Sequence, residues 1–161
     1  MTKHRAFIAL GANLGNVLES FQEAIRRLTV MEVHLEQYSS AYKTPALVEK
    51  TSTEELPAYW NAVIEVSTEL EPIALLEPMQ SIEDQMGRVR AKRWESRTMD
   101  LDLLLFDERV IESTSLKIPH SEMHRRVFVL EPLAEIADDY VVPGHNKTVA
   151  QLLNELHRSV D

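Results

Sequence analysis

The chain contains no cysteine, which excludes disulfide scaffolds, thiolate metal sites and thiol nucleophiles and is consistent with a reducing compartment. Glycine is scarce, at 4 in 161 residues, and neither Gly-x-x-x-x-Gly-Lys-Ser/Thr nor Gly-x-Gly-x-x-Gly occurs. Any nucleotide must therefore be held by side chains and not by a glycine cradle. Long apolar runs are missing too. The stretch Ala6 to Leu10 is too short for a signal segment and far too short to span a bilayer. Positive charge is in deficit, with 17 basic against 26 acidic side chains and a net charge of -9, so a generally basic nucleic-acid surface is excluded. No repeat, low-complexity tract or Pro/Gly/Ser linker divides the chain. With 44% hydrophobic and 27% charged residues, the composition is that of a globular protein. The expectation is one cytoplasmic domain over residues 1–161, monomeric, with neither a membrane nor a nucleic-acid partner.

What is present orders itself along the chain. Phe7 to Leu10 reads as a strand ending at Gly11-Ala12-Asn13-Leu14-Gly15. Asn16 with Glu19 marks a helix start, and Leu18, Phe21, Ile25 and Leu28 recur at helical spacing. Val33 to Tyr42 reads as a second strand, the polar stretch Glu49 to Glu55 as a loop, and Asn61 to Thr68 as a third strand. Pro72 suits a first helical turn, and Leu75, Met79, Ile82 and Met86 repeat up to Gly87. Pro78 interrupts that pattern and predicts a kink or a restart. Met99 to Phe106 is a strand candidate, and Thr148 with Gln151 opens a last helix faced by Val149, Leu152, Leu153 and Leu156. The order strand, helix, strand, strand, helix, strand predicts an α+β split βαβ sandwich with extra C-terminal helices.

Charge is concentrated at one place. Residues 88 to 97 read RVRAKRWESR, a local charge of +4 that leaves -13 for the remainder. Arg88, Arg90, Lys92, Arg93 and Arg97 repel one another unless an anion bridges them, and arginine forks match phosphate oxygens. A solvated basic loop is the plainer alternative. Directly after it comes MDLDLLLF. Strand alternation turns Met99, Leu101, Leu103 and Leu105 one way and Asp100 and Asp102 the other, the two acids ~7 Å apart at the Cα. Such a pair either ion-pairs with nearby arginines or holds hard divalent cations through oxygen. Cations beside an acid pair is the arrangement that phosphoryl transfer needs, which favours the functional reading. His120 and His124, four apart, could chelate a transition metal on a helix. Lacking a third ligand, the preferred reading is a phosphate hydrogen bond for one and surface exposure for the other. Tyr59, Trp60, Trp94 and Phe128 each read, alone, more as core aromatics than as stacking platforms.

These residues resemble the 6-hydroxymethyl-7,8-dihydropterin pyrophosphokinase family. The resemblance rests on Gly87-Arg88-Val89-Arg90, Arg93-Trp94, Arg97 and Asp100-Leu101-Asp102, with IALGANLG, YKTPAL at Tyr42 to Leu47, YWN at Tyr59 to Asn61, and IPHSEMHRRVFVLEPL from Ile118 to Leu133 in order around them. It implies a ferredoxin-like sandwich and transfer of pyrophosphate from ATP to the hydroxymethyl group of the pterin, releasing AMP, in folate biosynthesis. It implies two Mg²⁺ on Asp100 and Asp102, with Asp100 also facing the pterin, and catalytic roles for Arg88, Arg97 and Asp102. On the ATP side it implies Gln80, Glu83, Arg90, Trp94, Arg97, His120 and Arg126. Around the pterin it implies Tyr59 and Phe128 stacking on the ring, Asn61 at its edge, and Thr44, Pro45, Leu47 and Trp94 completing the pocket. The chain departs from the family's usual pattern at Val48, Glu95, Ser96, Ser115, Lys117 and Ser121, and the arginine-rich loop is one residue shorter than in some members. Rival readings of the same residues are a nucleotide or metal sensor without turnover, a single-stranded RNA module, and a transferase for another flat alcohol.

Overall fold

The computed structural model describes residues 3–13, 16–44, 59–87 and 99–159. Strand β1 (His4–Ala12) leads into helix α1 (Val17–Val30), followed by β2 (Val33–Tyr38), β3 (Tyr42–Thr44) and β4 (Tyr59–Thr68). Helix α2 (Pro72–Gly87) then leads to β5 (Met99–Phe106). Two small hairpins and two helices complete the chain: β6 (Ile111–Glu112) with β7 (Lys117–Ile118), a 3-10 turn at Met123–Arg125, α3 (Val127–Ala137), β8 (Val141–Val142) with β9 (Lys147–Thr148), and α4 (Val149–Ser159). The main sheet is antiparallel in the order β2-β4-β1-β5, with β3 pairing beside β4. This is the expected split βαβ sandwich with its C-terminal helices.

Local chemistry explains the ends. Asn16 Oδ1 accepts the Glu19 N–H at 3.2 Å, satisfying one of the free donors at the start of α1. Thr148 and Gln151 cap each other: Thr148 Oγ1 accepts the Gln151 N–H at 3.1 Å, and Gln151 Oε1 accepts the Thr148 N–H at 2.8 Å.

The sheet separates two apolar layers. On one face Ile8, Leu10, Ala62, Ile64, Leu101 and Leu103 pack against Phe21 and Leu28 of α1 and Leu75, Met79 and Ile82 of α2. On the other, Phe7, Val63, Leu104 and Leu105 pack against Val129, Leu130 and Leu133 of α3 and Leu152 of α4. Among the described residues, the second layer covers only one end of its face. At the other end the same face carries Gly11, Asn61 and Asp100, which are cross-strand neighbours in one row.

Three local expectations are corrected. Leu105 does not share the face of Met99, Leu101 and Leu103. The register jumps between Phe7 and Ile8, from partners Leu105 to Leu103, so Leu104 is the extra residue of a bulge and Leu105 turns to the α3–α4 side. Pro78 neither breaks nor restarts α2, which runs unbroken from Pro72 to Gly87. The carbonyl left without a donor belongs to Ala74, on the exposed side of the helix, where water can satisfy it. Val33 to Tyr42 forms two strands instead of one; between them Ser39 stays on β4, exchanging bonds with the Val63 backbone. The expected loop from Glu49 to Glu55 lies outside the described residues.

Candidate active site

The edge strand β5 sets the site. Its buried Leu101 and Leu103 anchor it to the α1–α2 core, which forces Asp100 and Asp102 onto the opposite face. Asp100 is half-buried and Asp102 exposed. Among the described residues, the outer edge of β5 has no neighbouring strand in the main sheet, and Glu83 and His120 meet it there. Glu83, projecting from the flank of α2, accepts the Leu101 N–H at 2.8 Å. Farther along, the His120 N–H donates to the Leu104 carbonyl at 2.9 Å. Between them lies a cleft of about 360 Å³, whose walls include Gln80, Glu83, Asp102, Ser115, Lys117 and His120. Gln80, Glu83 and His120, assigned to one ligand by resemblance, are therefore brought together. Thr114, Ser115, Lys117 and Ser121 also line this wall; sequence reading gave Ser115, Lys117 and Ser121 no nucleotide contact because they depart from the family's usual pattern, and did not single out Thr114.

Burial pushes the Glu83 carboxyl above its ordinary value, against the Leu101 N–H bond, and the charges of Asp100, Asp102 and Asp84 push it the same way. His120 Nδ1 accepts the Glu122 N–H at 3.2 Å, which fixes the proton on Nε2 and leaves that nitrogen as a donor.

A second cavity, of about 260 Å³, lies between β3 and α3, lined by Tyr42, Lys43, Thr44, Val127, Phe128 and Glu131. Its β3 wall continues into the sheet: the buried Asn61 donates from Nδ2 to Thr44 Oγ1 at 3.0 Å. Asn61 stands opposite Gly11, and Gly11 opposite Asp100. The acid pair consequently stands two strand spacings, ~10 Å, from Asn61, between the slot and the cleft. The Tyr59 hydroxyl donates to Asp100 Oδ2. Arg126 is not among the residues lining the 360 Å³ cleft; its guanidinium lies 5.8 Å from the Phe128 ring centroid, at the rim of the slot. Trp60 turns to the other face and packs on the α1–α2 core, as its core reading allowed.

The His120/His124 chelate does not form. His124 lies in the 3-10 turn and His120 precedes it, so the two do not share a helix face. The His124 ring instead packs 5.0 Å from that of His145, and burial lowers its pKa with His145 adding to the effect. Arg88, Arg90, Trp94, Arg97, Pro45 and Leu47 lie outside the described residues.

The acid pair fits a hard divalent cation. Aspartate oxygens are its preferred donors, and Asp100 and Asp102 both add to the upward pressure that burial puts on Glu83. Among the described residues no group of three or more His, Asp or Glu side chains is arranged to hold a metal. An ion on this pair would complete its shell with water or phosphate oxygens, which suits Mg²⁺. Among the described residues no helix is long and apolar enough to cross a membrane.

An acid pair beside a polar cleft, with a second cavity beyond Asn61 on the same split βαβ sheet, fits a group-transfer enzyme. The family model of the 7,8-dihydro-6-hydroxymethylpterin-pyrophosphokinases matches residues 7–138. A Haemophilus influenzae 2-amino-4-hydroxy-6-hydroxymethyldihydropteridine pyrophosphokinase is 42% identical over 152 residues, covering 94% of this chain and 89% of that one. The Bacillus subtilis enzyme of the same name is 41% identical over 132 residues, covering 81% and 77%. The chain belongs to the 7,8-dihydro-6-hydroxymethylpterin-pyrophosphokinase family, and as such it is an ATP-dependent diphosphotransferase. Among solved structures, an HPPK-DHPS in complex with substrates superposes with a TM-score of 0.73 at 15% identity, over 98% of this chain and 45% of that one. Plasmodium falciparum HPPK-DHPS with pterin and p-hydroxybenzoate gives 0.73 at 16%, over 99% and 44%. At these identities the likeness is one of fold, and the chain spans less than half of either structure.

Proposed function

We propose that the chain transfers the pyrophosphoryl group of ATP to the hydroxymethyl group of 6-hydroxymethyl-7,8-dihydropterin, with ATP in the β5-edge cleft and the pterin in the slot between β3 and α3. The position of the acid pair between the two cavities carries this reading. The hydroxymethyl oxygen attacks the β-phosphorus in line, a new P–O bond forms, the bond from the β-phosphorus to the α,β-bridging oxygen breaks, and AMP leaves.

Each side chain has a task in that geometry. Tyr59 and Phe128 stack on the ring, while Asn61, already oriented by Thr44, reads its edge through its second N–H and its carbonyl oxygen. Stacking tolerates many flat rings, so edge hydrogen bonds fix which is accepted. The His120 Nε2–H donates to a phosphate oxygen, and Gln80 and Glu83 border the nucleotide. Arg88, Arg97, Arg90 and Trp94 act on the polyphosphate from the arginine-rich loop, Arg126 approaches from the slot rim, and Pro45 and Leu47 complete the pterin pocket. Asp102 is the nearest acceptor for the hydroxyl proton. Asp100 and Asp102 would hold two Mg²⁺, which when bound neutralise the triphosphate and the charge that builds on the transferring group.

The test is product analysis with ATP, Mg²⁺ and the dihydropterin alcohol, quantifying AMP against ADP. AMP appearing in step with pterin pyrophosphate is expected. ADP would make the protein a simple kinase, and neither product would remove the assigned acceptor.

A further inference from the structure

Strand β3 is three residues long, and its ladder partner is the end of β4. A strand that short is a weak wall for a binding slot unless something else holds it. Glu135, two helical turns beyond Phe128 on α3, reaches across to it. Its Oε1 accepts the Tyr42 hydroxyl at 2.6 Å, and its Oε2 accepts the Ser40 N–H at 2.8 Å and the Ser40 hydroxyl at 3.1 Å. Among the described residues, every hydrogen bond between residues 40–44 and α3 runs through this one carboxylate.

We propose that Glu135 is a positioning residue for the pterin slot: by tying the β3 segment to α3 it sets the gap between Thr44 and Phe128 and so the width of the slot in which the ring is held. The inference rests on the functional reading above and adds to it a residue that never touches substrate. Three donors on one anion make a stronger tie than a neutral pair, and a carboxylate accepts all three at once with charge assistance. The Tyr42 hydroxyl, whose pKa is pushed up to about 12 chiefly by this bond, keeps its proton for Glu135 throughout the physiological range. Tyr42 also lines the slot, so displacement of this contact is felt at once by the ring's neighbours.

The experiment compares wild type with Glu135→Gln, Tyr42→Phe and the double variant, measuring KM for each substrate, kcat from AMP release, and Tm. Glu135→Gln keeps one oxygen for the Ser40 N–H and hydroxyl but turns an amide N–H₂ to the Tyr42 hydroxyl, which must then accept, and it removes the charge that strengthens all three bonds. The expected result is a pterin KM raised about five- to tenfold, with ATP KM unchanged and kcat within about twofold. Tyr42→Phe raises pterin KM less, and the double variant is no worse than Glu135→Gln because both act on one contact. An unchanged pterin KM in Glu135→Gln, or equal rises in both KM values accompanied by a fall in Tm, overturns the positioning role while the functional reading stands. Absence of AMP release by wild type overturns the functional reading and this proposal together.

Discussion

The Tyr59 hydroxyl donates to Asp100, so the aromatic assigned to the pterin and the carboxylate assigned to the metal are one hydrogen-bonded unit. The unit exists because Gly11 lies beneath the tyrosine. A Cβ at position 11 would stand 2.5 Å from Tyr59 Oη, 2.8 Å from Cε1 and 2.9 Å from Cζ, inside any permitted contact. Gly11 is needed here for close approach, and its place between Asn61 and Asp100 makes it the floor of the site.

Gly11→Ala should therefore act on the site more than on the fold. The atoms in the way belong to a side chain at the open end of the face, which can swing aside, so Tm should fall by only a few degrees. Tyr59 then loses both Asp100 and its stacking position, and pterin KM should rise by up to about tenfold, the scale of one aromatic stacking contact. Steady-state kinetics with each substrate varied would check this. A normal pterin KM would mean that Tyr59 does not stack on the ring.

Asp102→Asn removes charge from an exposed face and leaves the buried leucines of β5 in place. Turnover should drop on the order of 10²–10³-fold, the scale of losing one well-placed electrostatic contact in a transfer site. Far-UV circular dichroism should be unchanged and Tm equal or slightly higher, since one of several crowded negative charges is gone. Turnover close to wild type at saturating Mg²⁺ would remove Asp102 from the metal and proton-acceptor roles together.

The acid pair was legible in the sequence because strand alternation is enforced wherever one face meets a core, as Leu101 and Leu103 do. The same rule misplaced Leu105. At that end of β5 both faces are apolar, so a run of three leucines carries no sign of which residue is the bulge. The restart expected as one outcome at Pro78 failed for a related reason, since the side of the helix on which its freed carbonyl falls depends on what packs around α2. The Gly11–Tyr59 contact and the Glu135 tie were invisible because each joins residues far apart in the chain and leaves no periodic trace. Motif residues revealed the chemistry of the site, whereas the contacts that orient those residues required coordinates.

His4 predicts how stability depends on pH. Its Nδ1 bonds Asp107 Oδ2 at 2.7 Å and its Nε2 meets Glu71 Oε2 at 2.7 Å, joining the start of β1 to the residues just before α2 and just after β5. The Asp107 hydrogen bond raises the His4 pKa against a smaller opposing effect of burial, and Glu71 adds to the rise. A raised folded-state pKa stabilises fully below the unfolded value, about 6.5 for histidine, and that stabilisation is lost as pH climbs through the folded value. His4→Ala should therefore lower Tm more at pH 5.5 than at pH 8.5, measured by thermal melts in matched ionic strength. An equal loss at both would show that the ring contributes by packing on Phe106, 4.9 Å away, instead of by charge.

Glu83 gives the same slope of stability with pH, but as a cost at high pH where His4 is a gain at low pH. Its pKa is raised first by burial and then by Asp100, Asp102 and Asp84, so its ionised form is disfavoured in the fold relative to the unfolded chain. Stability from this group falls as pH rises from the ordinary carboxylate value through the folded one, and it stays low above it. Glu83→Gln removes the charge but keeps an oxygen that can accept the Leu101 N–H, so the edge of β5 remains satisfied. The variant should melt higher than wild type at pH 7, with the advantage shrinking toward pH 4, where wild-type Glu83 is itself protonated. Its ATP KM should rise, because a carboxylate that costs stability in the free protein is retained where a bound cation can compensate it. Melts at both pH values with ATP kinetics beside them decide the matter. A constant Tm difference would mean that the charge of Glu83 carries no strain, and an unchanged ATP KM would place it outside the nucleotide site.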